Sequence, residues 1–207
     1  MMGKNPYRYF KRGMDFIFSL ILLFILSPLF LLIYFALLIV NRGSVFFFQE
    51  RPGFNENYFR LIKFKTMTDK KNPDGTLLPD SKRITKFGRF LRKSSMDEIP
   101  ELINILNGDM SFVGPRPLLV SYLPYYTSEE RIRHSVRPGL TGLAQVKGRN
   151  NLTWDRKLEY DREYVLNQSF LNDVYILLRT TVVVFSTRDI LDHAPEGPLD
   201  KIRSKQI

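Results

Sequence analysis

The chain opens on polar and basic residues and then runs apolar from Phe16 to Val40, 25 positions without a charge. As a helix that run measures about 37 Å, against roughly 30 Å of bilayer hydrocarbon. Residues Leu22 to Leu38 are apolar on every side, which suits a lipid-embedded helix better than one packed on a soluble core. The run is too long for the apolar part of a cleavable signal peptide, and no small-residue cleavage site follows it. Pro28 stands at its middle, leaving two twelve-residue arms, each about 18 Å long and too short to span alone. Pro28 cannot donate to the carbonyl of Phe24, and Ser27 can bond back to a carbonyl one turn earlier. Two arrangements fit: a kinked helix that crosses, or a hairpin that enters and turns back. Lys4, Arg8, Lys11 and Arg12 precede the run, while Arg42, Arg51 and Arg60 follow it. Positive charge marks the cytoplasmic side, and its presence at both ends favours the hairpin.

Beyond residue 42 the pattern shortens. "SVFFFQ" (44–49) and "YFRLIKF" (58–64) are aromatic and β-branched and flank "RPGFNEN", which predicts a β-hairpin. "DKKNPDGTLLPD" (69–80) has the composition of an exposed loop. "SKRITKFGRFLRK" sets Ile84, Phe87 and Leu91 at helical spacing among six basic residues. It predicts one amphipathic basic helix, suited to anionic headgroups or to a phosphate site, although an ordinary surface helix shares that pattern. "DEIPELINILNG" predicts a helix ended by Gly108. Ser95 and Glu98 have capping-box spacing, but a helix capped there places Pro100 where an N–H is wanted, so a start about one turn later is expected. Residues 154–168 are amphipathic. Residues 170–185 are apolar except for Asp173 and Arg179, and read as a packed helix rather than a second membrane segment. After Arg188 the chain is polar and reads as a loose tail.

Composition narrows the chemistry. The formal charge of +10 over 207 residues points to anionic partners: nucleic acid, anionic lipid or phosphorylated substrates. With no cysteine and only His134 and His193, disulfides, thiol nucleophiles and Cys-ligated zinc are excluded, and a His-rich metal site or Ser-His-Asp relay has little to draw on. The glycine-rich phosphate loops GxxxxGK[ST] and GxGxxG are missing. What stands out is "SSMDEIPELINILNGDMSFVGPRPLL". Asp97 and Glu98 follow Arg92 and Lys93, and Asp109 and Arg116 come soon after. Two carboxylates in a basic setting can divide labour, one attacking phosphorus and the other helping to hold a divalent cation. Taken alone, the pair equally suits the dipole of a helix start. Arg116 lies between two prolines that stiffen it, as a phosphate clamp or a solvent-facing turn residue. "RPGLTGLAQVKGRN" (137–150), with Arg137 and Gln145, has glycines that would let backbone approach an anion, or is a surface loop.

Together these residues closely resemble the bacterial sugar transferase family, the monotopic phosphoglycosyl transferases that initiate glycoconjugate assembly. The matching blocks are "KRGMDFIFSLILLFILSP", "FFFQERPGFNENYFRLIKFKTM", "LRKSSMDEIPELINILNGDMSFVGPRPLL" and "RHSVRPGLTGLAQVKGRN". The likeness runs from about residue 7 to 185, with the size of the minimal catalytic form, similar to the enzymes that start bacterial N-linked glycan assembly. It implies transfer of a sugar 1-phosphate from a UDP-sugar to polyprenyl (undecaprenyl) phosphate, with release of UMP and a requirement for Mg2+. Asp97 would form the phosphosugar ester and Glu98 would support the metal, the two being the metal-binding candidates. Lys63, Arg92 and Arg116 match phosphate-binding positions, and Arg137 and Gln145 join them as candidate substrate contacts. Ser27 and Pro28 match the pair that breaks the family's re-entrant membrane helix, which implies that both ends face the cytosol at the bacterial inner membrane.

The expected fold is α/β and α-rich: a re-entrant helix-break-helix anchor over 1–42, a cytosolic catalytic domain of amphipathic helices and a short β-hairpin over 43–187, and a tail over 188–207. The expected partners are the UDP-sugar, polyprenyl phosphate and anionic lipid headgroups, with no nucleic acid, and a homodimer or association with later glycosyltransferases. The tail "STRDILDHAPEGPLDKIRSKQI" departs from members specific for di-N-acetylated bacillosamine, which leaves the sugar open, and an N-acetylated UDP-sugar is the expectation. The rival reading is a membrane-tethered basic module that binds anionic lipid or nucleic acid without catalysis. It accounts for the charge and gives no reason for the acidic pair.

Overall fold

The computed structural model describes residues 6–148, 151–185 and 197–204. Helix α1 (Tyr7–Val40) runs through Pro28 without interruption. The break expected at Ser27–Pro28 is therefore a proline within one helical run. The Ser27 hydroxyl donates to the Phe24 carbonyl at 2.7 Å, supplying the bond that Pro28 cannot make. One face of α1 packs on the rest of the chain from end to end. Leu22, Leu23 and Leu26 join Leu61, Leu102, Ile105 and Met110, and Leu29, Phe30, Ile33 and Leu37 join Val45, Phe64 and Leu91. Nearer its start, Lys11 pairs with Asp173 at 2.5 Å and Asp15 accepts from the Phe112 N–H at 3.2 Å. The opposite face, including Phe16, Ile17, Phe24, Ile25, Leu31, Leu32 and Phe35, is bare. An apolar surface of that extent suits lipid rather than water.

The predicted hairpin forms from β1 (Phe46–Pro52) and β2 (Tyr58–Phe64), antiparallel with Phe46 opposite Phe64 and Pro52 opposite Tyr58. Phe46 stacks on Phe64 with ring centroids 5.7 Å apart. The single basic helix expected next is divided into α2 (Asp80–Arg83) and α3 (Lys86–Lys93). Ile84 is extended and bridges Met67, and the Thr85 hydroxyl caps the new helix by accepting from the Gly88 N–H at 2.8 Å. A Cβ on Gly88 would lie 2.0 Å from the Thr66 carbonyl oxygen, so only glycine lets α3 lie this close to the chain leaving β2. Helix α4 (Glu101–Asn107) starts after Pro100, one turn later than a capping box at Ser95 would place it, and ends at Gly108 with φ 93°. The capping box does not form.

Two elements were not legible as such. β3 (Ser111–Val113) and β4 (Gly139–Thr141) pair in parallel, and α5 (Leu143–Gly148) follows. The glycines of "RPGLTGLAQ" permit this close crossing. A Cβ on Gly139 would sit 2.1 Å from the Gly114 nitrogen, and one on Gly142 would sit 2.1 Å from the Gly114 oxygen. Helices α6 (Trp154–Leu166) and α7 (Phe170–Phe185) occupy the predicted spans. On α7, Ile176 and Asp173 are buried while Leu171, Leu178 and Val182 are exposed, so the helix is packed on one side and bare on the other. The tail is not loose over its described part: α8 (Leu199–Arg203) docks on the domain with Leu199 fully buried.

Candidate active site

The acidic pair sits in a 3-10 turn, Met96–Glu98, between α3 and α4. Ser95 enters it in the left-handed region at φ 56°, a conformation that costs a non-glycine residue about 1 kcal/mol or more and recurs at functional turns. Three separate elements then converge. Glu98 Oε1 accepts from Lys63 Nζ of β2 at 2.6 Å and from an Arg116 terminal nitrogen, in the loop after β3, at 2.6 Å. Lys63 Nζ also lies 3.0 Å from Glu101 Oε1 on the first turn of α4. Arg92, on the last turn of α3, is held at its ε-nitrogen by the Thr66 hydroxyl at 2.9 Å. Asp97 is 9% exposed. Among the described residues it has no direct hydrogen bond or ion pair.

That asymmetry sets the protonation states. Burial would raise the pKa of Glu98, but Arg116 and Lys63 outweigh it and hold the carboxyl well below its ordinary range. Burial and then the Glu98 charge push Asp97 up to about 6, against the partly offsetting pull of Lys63, Arg92 and Arg116. Glu101 is pushed by burial and by Glu98 up to about 7. Burial lowers the basicity of Lys63, and Glu98, Glu101 and Asp97 together more than restore it, so that it ends above its usual value. The site thus holds a carboxylate neutralised by two cations beside one that lacks direct compensation. A carboxylate without a direct cation of its own suits Mg2+, which takes one or two carboxylates and completes its shell with water and substrate phosphate oxygens. No group of three or more metal-ligating side chains occurs among the described residues. Asp97 and Glu98 would hold such an ion only together with substrate.

Of the residues predicted from sequence, Lys63, Arg92, Asp97, Glu98 and Arg116 come together. Arg137 is placed elsewhere: its ε-nitrogen donates to the Gly108 carbonyl at 2.8 Å, at the C-terminal end of α4. Arg12 of α1 donates there too, to the Ile105 and Leu106 carbonyls at 2.6 and 2.8 Å. The Gln145 amide on α5 is buried with both polar atoms unpartnered among the described residues, against Gly142. Sequence reading missed Glu101, Arg51 and Arg133. Glu101 had a signal, since it stands three and four positions from the pair at helical spacing. Arg51 reaches the Pro117 carbonyl at 3.4 Å, and burial and then Arg116 lower its pKa to about 10. Arg133, 3% exposed, donates to the Arg116 carbonyl at 2.7 Å and to Asp161 at 2.8 and 3.0 Å. No local pattern marks it.

The family model described as bacterial sugar transferase matches residues 6–187. The chain belongs to the bacterial sugar transferase family. Among sugar transferase relatives, an uncharacterised one from Bacillus subtilis, EpsL, is 48% identical over 171 residues, covering 81% of this chain and 85% of the relative. The exopolysaccharide production protein ExoY of Sinorhizobium fredii is 37% identical over 195 residues, covering 86% of each. The UDP-glucose:undecaprenyl-phosphate glucose-1-phosphate transferase of Klebsiella pneumoniae is 38% identical over 181 residues, covering 83% of this chain but 39% of that protein. The match to this last sugar transferase is therefore to a part of a longer chain.

Proposed function

We propose that the protein transfers a sugar 1-phosphate from a UDP-sugar to polyprenyl (undecaprenyl) phosphate, releasing UMP, through a covalent aspartyl-phosphosugar. The observation that carries this reading is Asp97, a buried carboxylate with no direct partner among the described residues, beside a Glu98 neutralised by Lys63 and Arg116. In the first step an Asp97 oxygen attacks the donor phosphorus that bears the sugar. The anhydride bond to UMP breaks, and UMP leaves with the electron pair. In the second, an oxygen of the acceptor phosphate attacks the same phosphorus, the acyl phosphate bond breaks, and the Asp97 carboxylate is restored. One anhydride is consumed and one made, so no outside energy source is needed. Lys63, Arg92 and Arg116 are cations placed to stabilise charge on the phosphoryl oxygens. Mg2+ bound with Asp97 and Glu98 would supply further positive charge to the diphosphate.

The acceptor's phosphate lies at headgroup level, and the anchor supports a site at that depth. The domain contacts α1 from Lys11 to Leu37, whereas a helix crossing the bilayer would carry one end about 30 Å away from it. This favours a re-entrant α1 with both ends on the cytosolic face of the inner membrane. Arg12 ties α1 to the end of α4, whose other end follows the acidic pair. Holding two reactants at one depth lowers the barrier by orienting them before reaction.

The test is purified protein in detergent with Mg2+ and a panel of UDP-sugars that includes glucose, galactose and N-acetylated forms. Without acceptor, the wild type is expected to release UMP in a burst of about one equivalent and to show a phosphosugar adduct on Asp97 by mass spectrometry. Asp97→Asn is expected to do neither. Brisk turnover by that variant removes the aspartyl intermediate. No UMP from any donor leaves only the non-catalytic basic module.

A further inference from the structure

The family match ends at residue 187, yet residues 197–204, the described part of the chain beyond it, are built into the domain. Leu199 is fully buried in a cluster with Tyr122, Tyr126, Trp154 and Leu158, and the Trp154 indole donates to the Gly197 carbonyl at 2.8 Å. Arg203 makes a two-nitrogen fork on Glu130, at 2.6 and 2.7 Å, and also donates to the Tyr125 carbonyl at 2.8 Å and to Asp155 at 3.0 Å. A forked arginine–carboxylate pair fixes orientation as well as distance.

What the segment holds leads back to the active site. Residues 118–126 follow the Pro115-Arg116-Pro117 turn. Tyr126, packed in the Leu199 cluster, accepts from Arg133 at 3.3 Å. Arg133 in turn donates to the Arg116 carbonyl at 2.7 Å, and the Arg116 side chain donates to Glu98 at 2.6 Å. A buried, fully bonded arginine resists displacement, because any shift strands its charge from Asp161. The contacts are therefore continuous from Leu199 and Arg203 through Tyr126 and Arg133 to Arg116.

We propose that the C-terminal segment Pro198–Ser204 is a positioning element for Arg116, and through it for the donor's phosphates. This rests on the transferase reading above. The segment touches no reacting atom. It holds the outer end of a chain of contacts whose inner end is the phosphate clamp.

The test uses UMP as probe, with calorimetric binding and Mg2+ present. Three proteins are compared: the full chain, the full chain with Leu199→Ala and Arg203→Ala together, and a chain ended after Glu196. Loss of the brace is expected to weaken UMP binding by about three- to thirtyfold, the range seen when remote contacts modulate a site, with the number of binding sites unchanged. A synthetic peptide of residues 197–207 is expected to restore affinity to the shortened chain. A merely structural segment would lower the fraction of competent protein and leave the Kd of the remainder unaltered. Unchanged Kd in both altered chains overturns the proposal alone. Failure of the full chain to bind UMP removes the donor reading and this proposal with it.

Discussion

Asp97 and Glu98 are adjacent in the chain yet shifted in opposite directions from the ordinary carboxylate pKa, because the cations that reach them come from elsewhere. Lys63 and Arg116 bond to Glu98, while Asp97 has only their more distant field and that of Arg92. The two acids should therefore respond oppositely to neutral substitution. Asp97→Asn removes a buried charge without direct compensation and is expected to raise Tm at pH 7.5 in the absence of metal. Glu98→Gln strands Arg116 and leaves Lys63 with Glu101 alone, and is expected to lower Tm by several degrees. Thermal unfolding of the two variants checks this. The pH dependence has a definite sign. With Asp97 raised to about 6 and Glu101 to about 7, the folded chain binds more protons than the unfolded one between about pH 4 and 7, so stability falls as pH rises through that window. Stability from the depressed Glu98 is present above the ordinary carboxylate range and is lost on further acidification. The rate of UMP release should rise through about pH 6 as Asp97 ionises, and a pH–rate profile of the first step measures it.

At the scale of elements, the site depends on how closely α3 approaches the end of β2. Gly88 permits that approach, since a Cβ there would meet the Thr66 oxygen at 2.0 Å, and Thr66 in turn holds Arg92. Gly88→Ala is expected to cost about 1–3 kcal/mol by overpacking and to weaken phosphate binding more than an exposed change such as Lys93→Ala does. Chemical denaturation and a donor titration separate the two effects. Lys11 and Arg12, counted from sequence as flanking charge, are spent on Asp173 and on the carbonyls that end α4. They orient the anchor against the domain rather than against headgroups.

For the whole molecule, the bare apolar faces of α1 and α7 suit contact with a membrane. Cysteines introduced as Lys4→Cys and Arg42→Cys are both expected to be labelled from the cytosolic side only by an impermeant reagent. Labelling of either from outside would restore a helix that crosses. Local order was legible in the sequence wherever neighbours along the chain decide the outcome. The uncharged run, the proline compensated by Ser27, the hairpin, the start of α4 after Pro100 and its stop at Gly108 all follow from steric and hydrogen-bonding rules acting over a few residues. The acidic pair was legible for the same reason, being contiguous. The tertiary structure alone decided which cation meets which acid, that Arg137 ends α4 instead of facing the pair, that Arg133 braces Arg116, and that the tail docks. Those outcomes join residues 17 to 162 positions apart, and a buried charge takes its partner from whichever element the packed core brings within about 3 Å.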